Sequence, residues 1–252
     1  MTSAGGQAGL VDRRAWRAHR DRAARFGPVD FLHAEVADRL IDRLDVVNRE
    51  FAVALDLGAR DGGLARALAE RCGTRLVVAA DPELVPFRDA SFDLIASVLT
   101  LHWTADLPGA LVQLRRVLKP DGLLLAAMLG GQTLVELRTA LFEAELAEEG
   151  GVSPRVSPAI ELADAAALLQ RTGFALPVAD SETITVSYPD MLALLRDLRG
   201  MGETNALAAR RRGCLRRATL ARAGQIYAER FGDGAGRIPA RFEILFLAGW
   251  AP

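Results

Sequence analysis

Apolar positions in this 252-residue chain alternate between two spacings. Short apolar runs at 51–57, 75–80, 91–98 and 123–128 have the length and content of strands buried on both faces. Between them apolar residues recur every three or four positions. Leu32, Val36, Leu40, Ile41, Leu44 and Val47 predict a helix over 31–47, and Leu64, Ala67 and Leu68 one over 63–71. Further helices are expected at 10–26, with Trp16 and Phe26, and at 107–118, 134–147, 160–172 and 189–199. Thr133 is the expected cap of the helix at 134, and Gly173 suits a left-handed turn closing the one at 160. Alternation at Glu182–Tyr188 and a run at Phe242–Leu247 predict two late strands, with a long helical stretch at 203–231 between them. Strands separated by helices imply an α/β fold around a mostly parallel sheet. The organisation expected is N-terminal helices over 1–50, packing on one edge of the sheet, and a domain over 51–252 carrying a helical insertion at 189–231.

The first buried run ends in Asp56-Leu-Gly-Ala-Arg-Asp-Gly62. Gly58 and Gly62 permit a tight turn into the next helix, whose N-terminus then points bare amides into a crevice above the strand. A carboxylate at the end of an apolar strand is costly unless paired. Asp56 is therefore an acceptor either for the turn amides or for a ligand ammonium. Asp81 follows the second run, 25 positions after Asp56, near the roughly 20 residues at which an acid reaches a ribose hydroxyl in dinucleotide folds.

Asp81-Pro-Glu-Leu-Val-Pro-Phe87, Ser91-Phe-Asp-Leu-Ile-Ala-Ser-Val98 and Lys119-Pro-Asp-Gly122 follow in that order. The ordered set over about residues 50–130 resembles the class I methyltransferases. That resemblance implies a Rossmann-like sheet with an antiparallel last strand and S-adenosylmethionine as cofactor. It implies cofactor contacts from Asp56, Gly58, Ala59, Arg60, Gly62, Asp81, Pro82 and Leu99. Two departures stand out: Arg60 replaces a family glycine, with Asp61 added beside it, and only one helix and one strand fit between Asp56 and Asp81, so one edge strand–helix unit is expected to be missing. By motif Asp81 matches the adenine-side loop, by spacing the ribose-binding acid.

Ser97-Val-Leu-Thr-Leu-His-Trp103, Gly130-Gly-Gln-Thr-Leu-Val-Glu-Leu-Arg138, Glu149-Gly-Gly-Val-Ser-Pro154 and Gly200-Met-Gly-Glu-Thr-Asn205 are similar to the methyltransferase-like assembly factors of respiratory complex I, as are both ends of the chain. This narrower resemblance implies action on a protein subunit, with arginine hydroxylation associated with the mitochondrial member. His102 is the expected catalytic residue, and Trp103, Glu136, Arg138, Met201 and Glu203 the expected substrate contacts. The alternatives are a non-catalytic assembly module with a degraded cofactor turn, and a carboxyl O-methyltransferase acting on a carrier protein.

Composition changes the picture little. A net charge of −1 selects neither nucleic acid nor membrane, and no apolar run reaches the length of a transmembrane helix. The Arg-rich start is interrupted by Asp12 and Asp21 and lacks an apolar signal region. Localisation is thus expected to be cytoplasmic in a bacterium, or the mitochondrial matrix in a eukaryote. Cys72 and Cys214 have no C-x-x-C partner and are expected to be reduced. His33-Ala-Glu35 has facial-triad spacing, but on a helix the two point apart, so no metal site is expected. Arg210, Arg211, Arg212, Arg216 and Arg217 are expected on one basic helical face.

Overall fold

A computed structural model describes residues 10–157, 159–213 and 215–252; Cys214 lies outside them. Six strands form one sheet in the order β2-β1-β3-β4-β6-β5: β1 Val53–Leu57, β2 Leu76–Ala80, β3 Phe92–Val98, β4 Leu118–Leu129, β5 Ala175–Tyr188 and β6 Ile238–Trp250. The β1–β2, β1–β3 and β3–β4 pairs are parallel, and β4–β6 is antiparallel. The α/β fold with an antiparallel late strand is as expected. Among the described residues no strand lies beyond β2, whose Leu76 is 53% exposed, in keeping with the short interval in the sequence. Strand order reverses at β1, since β2 and β3 lie on opposite sides of it. In open α/β sheets that switch point is where ligands enter.

The chain divides into two compact units. One comprises residues 30–133, 159–184 and 242–252. Here α2 (Phe31–Asp42), α3 (Gly63–Cys72), α4 (Leu107–Val117) and α6 (Leu162–Arg171) accompany β1 to β4. Leu55, Ile95, Leu111, Leu114, Leu124, Leu168, Phe174 and Leu245 join the faces of sheet, α4 and α6 in one apolar cluster. Burial of each such side chain contributes about 1.5–3 kcal/mol, so this cluster anchors the strands that carry the site. Gly173 has φ +83°, the left-handed turn that lets the chain leave α6 for Phe174.

The other unit comprises residues 1–29, 134–158 and 185–241. Its helices are α1 (Arg13–Phe26), α5 (Val135–Glu149), α7 (Met191–Met201) and α8 (Arg217–Phe231). It carries 19 arginines against 12 acids, a net +7, whereas the first unit has 12 basic residues against 20 acids, a net −8; together these make the chain's −1.

Several expectations are corrected. The helix at 31 ends at Asp42 rather than 47. Both late strands are about twice as long as the apolar pattern showed, and Lys119-Pro-Asp-Gly122 falls inside β4, where Asp121 and Gly122 bond to Ala251. Thr133 does not cap α5: its hydroxyl donates to the Glu243 carbonyl (3.1 Å), and Leu134 at φ +53° begins the helix. Most of 203–216 is not helical. Asn205 there accepts from Leu207 N (3.0 Å) and donates to Pro154 O (2.7 Å), while Ala206 and Ala208 bond backbone to backbone with Asp12 and Leu10. Backbone groups committed to those partners cannot make i to i−4 bonds. The arginines at 210–217 therefore do not form one helical face; Arg210 pairs with Asp12 and Arg211 with Glu149. Cys72 is a free cysteine, its thiol pushed up chiefly by burial.

Candidate functional site

The carboxyl ends of β1 and β3 are fastened by their own hydroxyls. Ser97 donates to the Leu57 carbonyl (3.0 Å), and Thr100 to those of Val98 (3.0 Å) and Gly58 (3.4 Å). Gly58 has φ +83°, and a Cβ on it would lie 2.3 Å from the Thr100 methyl, so glycine is required twice over. Its amide donates to the Ala80 carbonyl (2.7 Å), which holds the turn against β2. Gly62, at φ +78°, then opens α3.

Asp56 sits at this mouth, 2% exposed. A cleft of about 160 Å³ is lined by Asp56, Gly58, Ala59, Arg60, Asp61 and Gly62 from the turn, by Asp30, His33 and Asp38 from α2 and the residue before it, and by Val98 from β3. The first five turn residues expected around a cofactor are thereby brought together. Their chemistry suits the amino-acid end of S-adenosylmethionine: a buried carboxylate for an ammonium, and turn amides at a helix N-terminus for a carboxylate. The cleft is smaller than the roughly 300–1,000 Å³ usual for small-molecule sites. Two of its lining side chains meet, the Arg60 guanidinium lying 3.2 Å from both ring nitrogens of His33. The sequence had shown His33 only as half of a metal motif. Its place in this cleft had no signal, because it depends on how α2 lies against the turn.

Asp81, Pro82 and Leu99 do not line this cleft. Asp81 directly follows β2, beside β1, and its carboxylate accepts from Glu83 N (2.9 Å). Pro82 lines a second cleft of about 380 Å³ with Glu83, Thr104, Asp106 and Gln113. There Glu83 accepts from Ala105 N (3.0 Å), and Asp106 caps α4 by accepting from Gly109 N (2.9 Å). Leu99 is buried and held at φ +47°, a conformation costing a leucine about 1–3 kcal/mol. This kink turns the chain from β3 into the 3-10 turn Leu101–Trp103. His102 and Trp103 stand there with ring centroids 5.5 Å apart, Trp103 only 3% exposed.

The remaining candidates belong to the helical unit. Met201 is buried in the last turn of α7, and Gly202 at φ +80° ends that helix, with Glu203 half-buried after it. Glu136 is fully buried in the first turn of α5 and ion-paired with Arg241, while Arg138 is half-buried. Arg241 had been missed, lying 105 positions from its partner. Among the described residues no group of three or more His, Cys, Asp and Glu side chains is arranged to hold a metal, and no helix is long and apolar enough to cross a membrane.

Known proteins resemble this chain in sequence and in fold. Residues 42–126, which run from the end of α2 into β4, match the Methyltransferase domain family. The mitochondrial arginine-hydroxylase NDUFAF5 of Danio rerio is 40% identical over 96% of this chain and 83% of its own length, and that of Homo sapiens 39% over 93% and 73%. The malonyl-[acyl-carrier protein] O-methyltransferase of Halorhodospira halophila is 35% identical over 97% of this chain and 90% of its own. Among solved structures, a Bacillus halodurans methyltransferase superposes with a TM-score of 0.54 at 15% identity, over 86% of this chain and 98% of that one. A Haemonchus contortus phosphoethanolamine N-methyltransferase in complex with S-adenosyl-L-methionine gives 0.51 at 16% identity, over 86% of this chain and 52% of that one. The chain is thus a methyltransferase-family enzyme with a Rossmann-like fold, and it belongs to the family that includes the arginine-hydroxylase NDUFAF5.

Proposed function

We propose that this chain is an S-adenosylmethionine-dependent enzyme that modifies a protein subunit during assembly of respiratory complex I. The observation that carries this reading is the likeness to the NDUFAF5 proteins, which runs through both units and not through the cofactor core alone. In this reading Asp56 binds the ligand ammonium, the turn from Gly58 to Gly62 its carboxylate, and Asp81 the ribose hydroxyls; Pro82 and Leu99 border the nucleoside. Bound there, the cofactor supplies an electrophilic methyl group. His102 is assigned the holding or moving of a proton, with Trp103 beside it, and Glu136, Arg138, Met201 and Glu203 are assigned contacts with the protein substrate. The +7 helical unit suits a protein partner with an acidic surface, and such an association weakens with salt. A cytoplasmic or mitochondrial-matrix setting follows from this role.

The Halorhodospira halophila relative favours a second reading, methylation of a carrier-protein-bound carboxylate. One experiment separates the two. A strain lacking the gene is compared with its parent for assembled complex I and for the masses of its subunits, while purified protein is assayed for methyl transfer to a malonyl carrier protein. Loss of complex I together with a missing subunit modification supports the first reading. Normal complex I with carrier methylation supports the second.

A further inference from the structure

Within the helical unit, the segment from Gly200 to Asn205 is fastened to α1. The Gly200 carbonyl accepts from Val29 N (3.2 Å), and a Cβ on Gly200 would lie 2.6 Å from the Val29 side chain. One on Gly202 would lie 3.3 Å from the Arg20 Cα. The Thr204 carbonyl is 3.3 Å from His19 Nδ1, and the Thr204 hydroxyl accepts from Arg22 Nη2 at 3.4 Å. The end of α7 and helix α1 therefore meet at close range, and several of the side chains at their junction are basic. His19 and Arg22 come from α1, and Arg199 from the last turn of α7.

Two of these charges lack a counter-ion. Among the described residues neither Arg22 nor Arg199 belongs to an ion pair, whereas Arg210, which also acts on His19, is matched by Asp12. Arg22 is half-buried with one long hydrogen bond, and its Nε is wholly buried without a partner. Burial, then repulsion from Arg199, holds its guanidinium below the ordinary value. The last turn of α7 offsets part of the Arg199 charge, since cations are favoured at a helix C-terminus. Arg22 gains nothing comparable. Like charges gathered in a half-buried place, with a buried donor left unused, are costly until an anion joins them.

We propose that Arg22, Arg199 and Thr204 form a binding site for a phosphate monoester. Charge and donors both match. Two guanidiniums balance a monoester, which carries about −1.5 to −2 at neutral pH. The Nε and Nη donors of Arg22 take two phosphate oxygens side by side. Arg199 takes the third together with the Thr204 hydroxyl, which donates to no described group. A carboxylate, with two oxygens and a single charge, leaves part of this set unused. None of the three residues lines the cleft that contains Asp56, and the site is independent of the reaction proposed above.

The test titrates the full chain with inorganic phosphate at constant ionic strength, read from the arginine Nε–H resonances. The Arg22 signal shifts saturably. Arg22→Gln and Arg199→Gln each weaken binding about tenfold or more, while Arg25→Gln, exposed in the last turn of α1, leaves it unchanged. Arg22→Lys, which keeps the charge without the fork, also weakens it. No saturable shift, equal binding of acetate, undiminished binding to either Gln variant, or an equal loss in Arg25→Gln overturns the proposal. Should the variants not fold, hydrogen exchange on the parent chain decides: phosphate protects 18–23 and 199–205, and protection only elsewhere overturns it. A phosphoserine peptide titrated alongside identifies the source. Binding at least about tenfold tighter than inorganic phosphate assigns the site to a phosphorylated polypeptide, and any lesser difference to a free phosphate monoester.

Discussion

The guanidinium of Arg60 is 3.2 Å from both ring nitrogens of His33, joining the turn after β1 to helix α2 across the lining of the cleft that contains Asp56. A guanidinium nitrogen equidistant from both ring nitrogens cannot aim well at the one that carries the acceptor lone pair, so the contact is weak and can yield to a ligand. Arg60→Gly is expected to tighten S-adenosylmethionine binding several-fold in calorimetry. A loss of affinity instead would show that Arg60 holds the ligand carboxylate.

Asp56→Ala is expected to abolish measurable cofactor binding while circular dichroism stays native, because a ligand ammonium needs a charged acceptor that carbonyls replace only partly. Unchanged affinity would remove Asp56 from the site.

Asp93 is a structural acid. Its carboxylate accepts from Val53 N (2.9 Å) and from the ammonium of Lys119 (2.8 Å), the single lysine of the chain, tying the start of β1 to β3 and β4. Asp93→Ala leaves the Val53 amide without its acceptor and is expected to cost about 2 kcal/mol in denaturant unfolding. Asp93→Asn, which retains an acceptor, should cost less.

Glu145, buried and bonded to Ser153 and Arg155, is expected to be the costlier acid on α5 to remove. Glu145→Ala strands the Arg155 charge, and chemical denaturation should show a loss of about 3–5 kcal/mol. A loss below about 1 kcal/mol would mean that Arg155 turns to solvent without penalty.

Stability is expected to fall in mild acid through His19. Burial, then repulsion from Arg22, draws its imidazole below the ordinary 6.5, against the opposing contact of Nδ1 with the Thr204 carbonyl at 3.3 Å. The unfolded chain therefore takes up this proton at a higher pH than the folded one. The stability due to neutral His19 is complete above about pH 6.5 and is lost as pH falls below it towards the lower folded value. Thermal unfolding of His19→Gln should have a shallower slope just below about pH 6.5; identical slopes would assign the loss to other groups.

The sequence by itself determined the α/β alternation, the turn from Asp56 to Gly62 and the missing edge unit, because each is local. A buried strand, a glycine turn and the length of a connection are written in consecutive residues. Gly58 could be read as a turn glycine, but its contact with Thr100 could not. Only the tertiary structure decided that Asp81 follows the strand next to β1, that Arg60 meets His33, and that Glu136 is buried against Arg241. Each of these joins residues brought together by sheet order or helix packing, and Glu136 is 105 positions from its partner. The stretch at 203–216 went astray for the same reason, since its helical composition was overruled by Asp12, Leu10 and Pro154, whose bonds take its backbone and side-chain groups and which no local pattern could anticipate.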